Sequence, residues 1–384
     1  MKKFFLHKHY AFGEIYHVGA ALLLSEDLQI VNLTLASKNH QQFLSEILDQ
    51  KQILDDDNLA SIFEQLPRKN NGKPQEKPYD KFRDENKIYD MPAATEIVSS
   101  HFEQKDHKEV SKVLLTEFTK PLRSLPSSDA FSLFCNETVK RFQNENRKYL
   151  VFIRKKKEVS KDINYFILKT IIDTILATCH NIDQLTKTEF QKLEFIFVGD
   201  KLQEKESKDI GNDFEQKEII FNDDLTELPK KDPFKENSIA KQIKLYSILR
   251  EQCGVKFLIG MMSGALDGLA FTGMPTIFLT DFKHSNQRML KASKSIHNFW
   301  PVHYKYSKTE IKFNANLLST TQRQIEIEER IARLKQRSSS NVSLQLELKP
   351  LEKEANDIYQ KIKESLQDSE KDNLVNSSIS YKLK

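Results

Sequence analysis

The residues best suited to chemistry lie between Val255 and Asp281, where the glycines of this chain are concentrated. The chain has 384 residues but only 10 glycines. Five of them fall in or directly before this stretch, namely Gly254, Gly260, Gly264, Gly268 and Gly273. Glycine permits a left-handed backbone and a close approach of other groups. The clustering therefore indicates a backbone that fits tightly against a strand or a ligand.

Two short apolar runs, from Lys256 to Ile259 and from Thr276 to Leu279, predict strands that are buried on both faces. Between them, Ser263 to Thr272 is predicted to be helical, with Ser263 as the N-cap. The first turn of such a helix has N–H groups without intrahelical partners and about half a positive charge. The sequence therefore predicts an anion-binding turn beyond the end of a strand.

Small residues on one face of this helix allow two interpretations. Gly264 and Gly268 are four residues apart, so they share a face that a ligand or a strand can approach. Asp267, one turn inside the helix, is placed to reach a hydroxyl such as that of a ribose. The alternative is that the small residues only let the helix pack closely on the sheet. The spacing matches neither the Gly-x-Gly-x-x-Gly of dinucleotide-binding folds nor the Gly-x-x-x-x-Gly-Lys-Ser/Thr of phosphate-binding loops.

The stretch around Gly260 to Leu279 resembles the donor-binding end of a GT-B glycosyltransferase. In that family a strand ends in glycine, small residues cap the next helix against the donor diphosphate, and an acidic residue further on holds the ribose. The residues in matching order here are Gly260, Ser263, Gly264, Ala265 and Asp267. The resemblance implies that these five bind a nucleotide-sugar donor. Asp267 departs from the pattern, because many members carry Glu there.

A basic run follows a second predicted strand, Tyr149 to Ile153. In an open α/β sheet, ligands bind beyond the carboxyl ends of the strands. GT-B enzymes often keep an Arg or Lys at this point for the diphosphate, which makes Arg154 and Lys156 candidates. Arg154 is favoured because its planar guanidinium can hold two oxygens at once. The alternative is that this run is only a solvated surface.

A candidate catalytic base lies near the N-terminus. The segment Gly13 to Gly19 follows the first predicted strand, Phe4 to Leu6, and is predicted to precede the first helix at the ligand-facing edge. It is similar to the first loop of many GT-B acceptor domains, which contains Gly and His, and on that ground His17 is the candidate base. The alternative is that His17 is an ordinary loop or core residue.

Strands that alternate with helices or loops predict an α/β fold with two Rossmann-like doubly wound domains and a C-terminal helical hairpin. Amphipathic spacing of the apolar residues after residue 321 indicates the two helices of the hairpin. Phe131 to Phe134 is predicted to be a strand that closes the first domain. With the resemblance, the expected units are an acceptor domain over 1–145 with a polar loop or disordered insertion at 51–90, a donor domain over 146–318, the hairpin over 319–366 and a flexible tail over 367–384.

Histidine and aromatic residues are frequent between Lys283 and Tyr306. Such side chains could stack on a base or a sugar, or they could pack two parts of the protein together. We favour packing. His297 and His303 lack the helical or hairpin spacing of metal ligands, so no metal site is predicted there.

Composition argues against several classes of protein. Lys and Arg number 59 against 55 Asp and Glu, a net charge of +4 that gives no sign of nucleic-acid binding. The three cysteines have no short spacing, and the acidic run at Asp55–Asp57 is typical of a solvated face, so no metal site is predicted. No apolar run approaches the roughly 20 residues of a membrane span. We expect a cytoplasmic protein or, alternatively, a bacterial protein exported into a host cell.

The resulting hypothesis is a metal-independent glycosyltransferase that uses a nucleotide diphosphate sugar as donor substrate, without another cofactor. Its acceptor, whether glycan, protein or small molecule, is not indicated by the sequence. A sugar-nucleotide epimerase of similar fold is one alternative. The other is a non-catalytic scaffold that binds a protein partner, or itself, through residues 321–366.

Overall fold

Two parallel sheets with helices on their faces organise the chain. A computed structural model describes residues 2–6, 12–70, 72–89, 91–154, 165–186, 191–214, 219–261, 263–281, 287–306, 310–313, 315–337, 342–369 and 379–382. The predicted fold class, α/β with two Rossmann-like units, is confirmed.

The first unit is built on a four-stranded parallel sheet. Its elements are β1 (Lys2–Phe5), α1 (Phe12–Leu24), β2 (Leu28–Val31), α2 (Lys38–Ile47), β3 (Ile53–Leu54), α3 (Asp57–Glu64), α4 (Glu76–Glu85), β4 (Ile88–Tyr89), α5 (Met91–Gln104), α6 (His107–Phe118) and α7 (Ala130–Phe142). The strand order is β3-β2-β1-β4, and each neighbouring pair is parallel.

The second unit contains an eight-stranded sheet and the C-terminal helices. Its elements are β5 (Arg147–Ile153), α8 (Tyr165–Thr186), β6 (Leu193–Gly199), α9 (Glu204–Phe214), β7 (Ile219–Thr226), α10 (Ser238–Cys253), β8 (Val255–Met261), α11 (Gly264–Phe271), β9 (Thr276–Asp281), α12 (Gln287–Ser295), β10 (Phe299–Tyr306), β11 (Glu310–Phe313), α13 (Ala315–Arg337), α14 (Val342–Ser369) and β12 (Ile379–Lys382). The strand order is β12-β11-β10-β9-β8-β5-β6-β7.

Within this sheet, β7-β6-β5-β8-β9-β10 are parallel and follow the 3-2-1-4-5-6 order of the Rossmann fold. Both faces are buried, as the continuous apolar runs predict. On β5, for example, Tyr149 and Val151 pack in the core beneath α8, whereas Leu150 packs in the core on the opposite face. The helices therefore cover the sheet on both sides.

The two units share one apolar core. It joins Tyr16 of α1 and Phe118 of α6 to Leu258 of β8 and Phe278 of β9. Helix α1 packs directly on α11, where a Cβ at Gly268 would lie 2.4 Å from the Tyr16 ring. Gly268 is therefore required for this close approach of two helices, although glycine disfavours a helix interior.

The polar segment 51–90 differs from the predicted loop, because it forms β3, α3, α4 and β4 and so completes the first sheet. Its few apolar side chains account for this. Phe63 and Phe82 pack against Phe5 of β1, with ring centroids 4.8 and 5.4 Å away, and Leu59 joins the same buried cluster. A thin core is enough to order a segment that is otherwise charged.

The predicted strand at Phe131 to Phe134 is also wrong, because these residues lie in α7. Asp129 caps that helix by accepting a hydrogen bond from the Phe131 N–H at 2.8 Å. Phe131, Cys135 and Phe142 then form one buried face at helical spacing.

The two C-terminal helices, α13 and α14, contact each other. Lys335 pairs with Glu352 at 2.7 Å, and Ile325, Ile358 and Ile362 pack on the outer face of the large sheet. The predicted flexible tail is corrected at Ile379–Lys382, which forms β12 and pairs antiparallel with β11. Residues 370–378, 383 and 384 lie outside the described residues.

All three cysteines, Cys135, Cys179 and Cys253, are buried and free. In the part of the chain that the structure describes, no helix combines the length and apolar character of a membrane span. Within that same part, no three His, Cys, Asp or Glu side chains are grouped so that they could hold a metal ion.

Candidate functional site

The topology places a crevice between the carboxyl ends of β5 and β8. These strands are neighbours, but the helices that follow them cover opposite faces of the sheet, α8 on one and α11 on the other. Such a switch point is where open α/β sheets bind ligands. Phe152 pairs with Gly260 across the two strands, so Arg154 and Ser263 leave the sheet at adjacent positions. The structure thus brings two of the predicted site segments to one edge.

Gly260 has a structural reason to be glycine. A Cβ there would lie 2.7 Å from the Cβ of Phe152 on the neighbouring strand, which is too close for any side chain. The absence of a side chain therefore lets β5 and β8 pack at the switch point. A contact between Gly260 and a donor stays a prediction.

Helix α11 begins at this crevice, and within the described ranges no side chain caps its N-terminus. Ser263 is its N-cap in extended conformation, and the Ser263 side chain makes no hydrogen bond to the helix. The first internal bond of the helix runs from the Leu266 N–H to the Ser263 carbonyl at 2.9 Å. Gly264 and Ala265, which precede it, are partly exposed. Their N–H groups have no partner four residues back, so they are oriented to donate to an anion.

The basic residues near the crevice are only partly described. Arg154 is the first residue beyond β5 and is half-buried, whereas Lys156 lies outside the described residues. The neighbouring strand β6 ends at Gly199, whose left-handed backbone, φ 85°, lets the chain turn toward β5. The Asp200 N–H then donates to the Ile153 carbonyl at 2.9 Å. This turn closes one side of the crevice.

His17 lies inside α1, and the prediction that it belongs to a loop before the helix is wrong. Its side chain is fully buried. The imidazole Nε2 lies 3.2 Å from Oδ2 of Asp267, and Nδ1 lies 3.1 Å from the Thr95 hydroxyl. Two residues that the sequence singled out separately, one in each unit, are therefore in direct contact.

Asp267 is the centre of a buried polar cluster between the units. Besides His17, its Oδ2 contacts the Arg288 guanidinium of α12 at 2.8 Å, and Arg288 also lies 4.0 Å from Glu14 of α1. The Asp267 side chain is 0% exposed, and its Oδ1 has no hydrogen-bond partner among the residues described. A ribose has no access to this carboxylate in the observed arrangement, so the ribose contact stays a prediction.

Burial lowers the pKa of His17, against the opposing effects of the hydrogen bond and charge of Asp267. The imidazole is therefore neutral at neutral pH. A neutral ring can donate from Nε2 to the carboxylate and accept at Nδ1 from the Thr95 hydroxyl, which satisfies both nitrogens. Because the ring is closed off from solvent, an acceptor hydroxyl has no access to it in the observed arrangement. The catalytic role of His17 stays a prediction.

Sequence reasoning missed three members of this cluster, Glu14, Thr95 and Arg288. A signal existed for Arg288, because it lies at the start of α12, the helix that follows β9. Thr95 offers no comparable signal, since it is an ordinary small residue within the helix α5. Contacts of this kind depend on how two units dock, which local pattern does not encode.

The histidine and aromatic segment after β9 packs as expected in its described part. The His297 and Trp300 rings lie 4.8 and 5.7 Å from the Tyr359 ring of α14. These rings therefore attach the C-terminal helices to the second unit.

The sequence matches no protein-family profile and no curated protein. Among solved structures, the glycosyl transferase family 9 protein from Veillonella parvula is 10% identical, with a TM-score of 0.36, over 79% of this chain and 86% of that chain. The E. coli heptosyltransferase WaaC with ADP is 10% identical, with a TM-score of 0.32, over 80% and 94%. The same enzyme with ADP-2-deoxy-2-fluoro heptose is 10% identical, with a TM-score of 0.29, over 73% and 89%. Such identities and TM-scores assign no activity to this chain.

Proposed function

We propose that this protein is a glycosyltransferase of the GT-B type, which binds a nucleotide diphosphate sugar at the switch point between β5 and β8. The observation that carries the proposal is the uncapped N-terminus of α11 at that crevice. A strand end, a tight turn and a free helix N-terminus together form a receptor for a diphosphate.

In the proposed reaction the donor diphosphate accepts hydrogen bonds from the N–H groups of Gly264 and Ala265. The charge that builds up on the leaving diphosphate is stabilised by the positive end of α11. Arg154, which leaves the adjacent strand, supplies a guanidinium with bidentate geometry for the phosphate oxygens. The chain itself thus provides groups of the right sign at the position where negative charge develops.

A second candidate is a nucleotide-binding protein that transfers no sugar. It is favoured by one observation, the complete burial of His17 and its engagement with Asp267 and Thr95. A general base has to come within hydrogen-bond distance of the acceptor hydroxyl. Because His17 is buried, a protein of this second kind would bind a nucleotide at the donor site without needing a general base.

Thermal stability in the presence of UDP, GDP, ADP and CDP tests the donor site. At 100 times its dissociation constant, a nucleotide stabilises the folded protein by about 2.7 kcal/mol. We expect at least one of the four to raise the melting temperature of the wild type and to leave Gly264→Val unchanged, because the valine side chain blocks the first turn. Gly211→Val is the matched control, since a Cβ at Gly211 meets nothing within 4 Å.

The outcomes separate the candidates. If none of the nucleotides stabilises the wild type, both candidates fail. If Gly264→Val is stabilised as much as the control, the diphosphate does not bind at α11. Release of nucleoside diphosphate from a panel of nucleotide sugars then distinguishes the two, because only a transferase or a slow hydrolase turns the donor over.

A further inference from the structure

A second cavity lies at the far end of α11 from Gly264, where the two units and the C-terminal helices meet. Its volume is about 520 Å³, within the range of small-molecule sites. Helix α6 of the first unit forms one wall, and α10, α13 and the turn after α11 form the others. Eight residues of helix, roughly 12 Å, separate it from the crevice between β5 and β8.

The cavity combines an apolar floor with basic residues. Leu115, Pro275, Trp300 and Ile325 supply much of the apolar surface. The lysines and the arginine of the wall come from both units, namely Lys108 and Lys112 of α6, Arg250 of α10 and Lys335 of α13. Of these, Lys335 is paired with Glu352. A molecule in the cavity would therefore contact both units at once.

The acidic residues of the wall are already engaged. Glu328 lies 2.8 Å from His297 Nε2, and Glu329 accepts from Lys256 Nζ at 2.6 Å. Glu251 accepts from the Ser247 hydroxyl at 3.1 Å. Of these three carboxylates, Glu329 has its charge offset by a lysine.

Most of the lysine and arginine side chains of the wall, unlike the acidic ones, are not engaged with a partner in the described part of the chain. Across the described ranges, the side chains of Arg250, Lys108 and Lys112 make no hydrogen bond or ion pair with the protein. Arg250 is the most confined of the three, and burial lowers the pKa of its guanidinium against the opposing charges of Glu329, Glu251 and Glu328. Arg250 is half-buried, and an anion beside its guanidinium would gain a charge-assisted hydrogen bond, which is stronger than a neutral one.

A smaller cavity of about 270 Å³ continues past Arg250 and is lined by Tyr246. The Tyr246 side chain is 2% exposed, and its hydroxyl has no hydrogen-bond partner among the residues that the structure describes. Buried hydroxyls are normally hydrogen-bonded. Among the described residues, two donors one helical turn apart, the Arg250 guanidinium and the Tyr246 hydroxyl, therefore have no hydrogen-bond acceptor.

We propose that this junction binds a small organic anion, a phosphate or carboxylate with an aromatic body. The anionic group would accept from Arg250, with Lys108 and Lys112 adding positive charge at the mouth. The aromatic body would lie against Trp300 and Ile325. The charged groups that hold the ligand and the apolar surface that receives it are both present, which distinguishes this cavity from a packing defect.

Trp300 makes the proposal directly testable, because it is the only tryptophan of the chain. We expect phenyl phosphate to cause a saturable change in the intrinsic fluorescence of the full-length protein. Arg250→Gln should weaken this binding by roughly tenfold or more, through loss of a charge-assisted hydrogen bond. Arg330→Gln is the matched control, since Arg330 is an exposed arginine of α13 away from the cavity wall, and it should bind as the wild type does.

A second variant keeps the test decisive if Arg250→Gln does not fold. Ala332 lines the cavity from an exposed position on α13, so Ala332→Phe should fill the space and abolish the response to phenyl phosphate. Benzyl alcohol should bind at least tenfold more weakly, because it lacks the anionic group. The proposal is overturned if phenyl phosphate gives no saturable change, if Arg250→Gln or Ala332→Phe responds like the wild type, or if benzyl alcohol binds equally well.

Discussion

His17 and Asp267 lie 250 positions apart in the chain, and their side chains are 3.2 Å apart in the structure. Each has the chemistry of a reactive group, and in the observed arrangement their contact joins the two units. With Arg288 on the other side of the carboxylate, the three side chains form a buried cluster of charged and polar groups. Removing one member of such a cluster leaves the others buried without a partner, which is costly.

The Asp267→Ala variant tests how much this buried cluster contributes to the stability of the folded protein. Loss of the carboxylate leaves Arg288 and His17 without their shared partner, and we expect the free energy of unfolding to fall by about 3–5 kcal/mol. Urea denaturation at neutral pH measures it. The matched control is Asp232→Ala, whose ion pair with Lys235 is fully exposed to solvent, and it should show no measurable change. A loss as small as that of the control would mean that Arg288 is satisfied by Glu14 alone.

At the scale of elements, the packing of α1 on α11 decides how the units meet. The tight contact between Gly268 and the Tyr16 ring brings the two helix axes close together, and Phe271 of α11 packs on the His17 ring at 4.7 Å. The same contact closes the path to His17 and Asp267. One helix pair thus determines both the cohesion of the protein and the accessibility of its polar cluster.

Two glycine-to-alanine substitutions should have opposite effects on stability. In Gly268→Ala the new methyl group overlaps the Tyr16 ring, and we expect a destabilisation of about 1–3 kcal/mol from overpacking. In Gly211→Ala, within α9, the methyl group meets no atom within 4 Å, so the higher helix propensity of alanine should stabilise by roughly 0.5–1 kcal/mol. Thermal or urea unfolding of both variants checks the signs. Stabilisation by Gly268→Ala would show that the α1–α11 contact is looser than described.

Elements with a strong apolar period could be predicted from the sequence. The strands β5, β8 and β9 and the helix α11 fall where apolar runs and cap residues place them. The two-residue strands β3 and β4 could not be found this way, because they are too short to show a period. Phe131 to Phe134 was mistaken for a strand because its aromatic residues favour β-structure, while the Asp129 cap favours the helix that forms.

In the candidate site, too, the local features could be predicted from the sequence and the contacts between distant segments could not. The N-terminus of α11 is a local feature, so its cap residue and its place after a strand are readable from spacing. The environment of His17 and Asp267 is set by docking between units, and no local pattern carries that information. The sequence therefore predicts which side chains could bind a donor or act as a base, but it does not predict which of them remain accessible to a ligand.

At the scale of the whole molecule, one apolar core spans both units. Because neither sheet can lose its partner without exposing part of this core, we expect the protein to unfold in a single cooperative transition. Scanning calorimetry tests this through the ratio of the calorimetric enthalpy to the van't Hoff enthalpy, which should be close to one. Two resolved transitions would show that the units are thermodynamically independent despite the shared core.

The burial of Cys135, Cys179 and Cys253 has a practical consequence for measuring movement of the two units relative to each other. Because all three native thiols are closed off from solvent, the natural sequence is already suited to site-directed labelling, and none of them has to be replaced first. Burial also raises the pKa of the Cys135 thiol to about 12, which suppresses the reactive thiolate. A pair of introduced cysteines, one at exposed Ile62 and one at exposed Ile220, would carry spin labels or dyes on the two units. The distance between the labels would then report directly on whether α1 leaves α11.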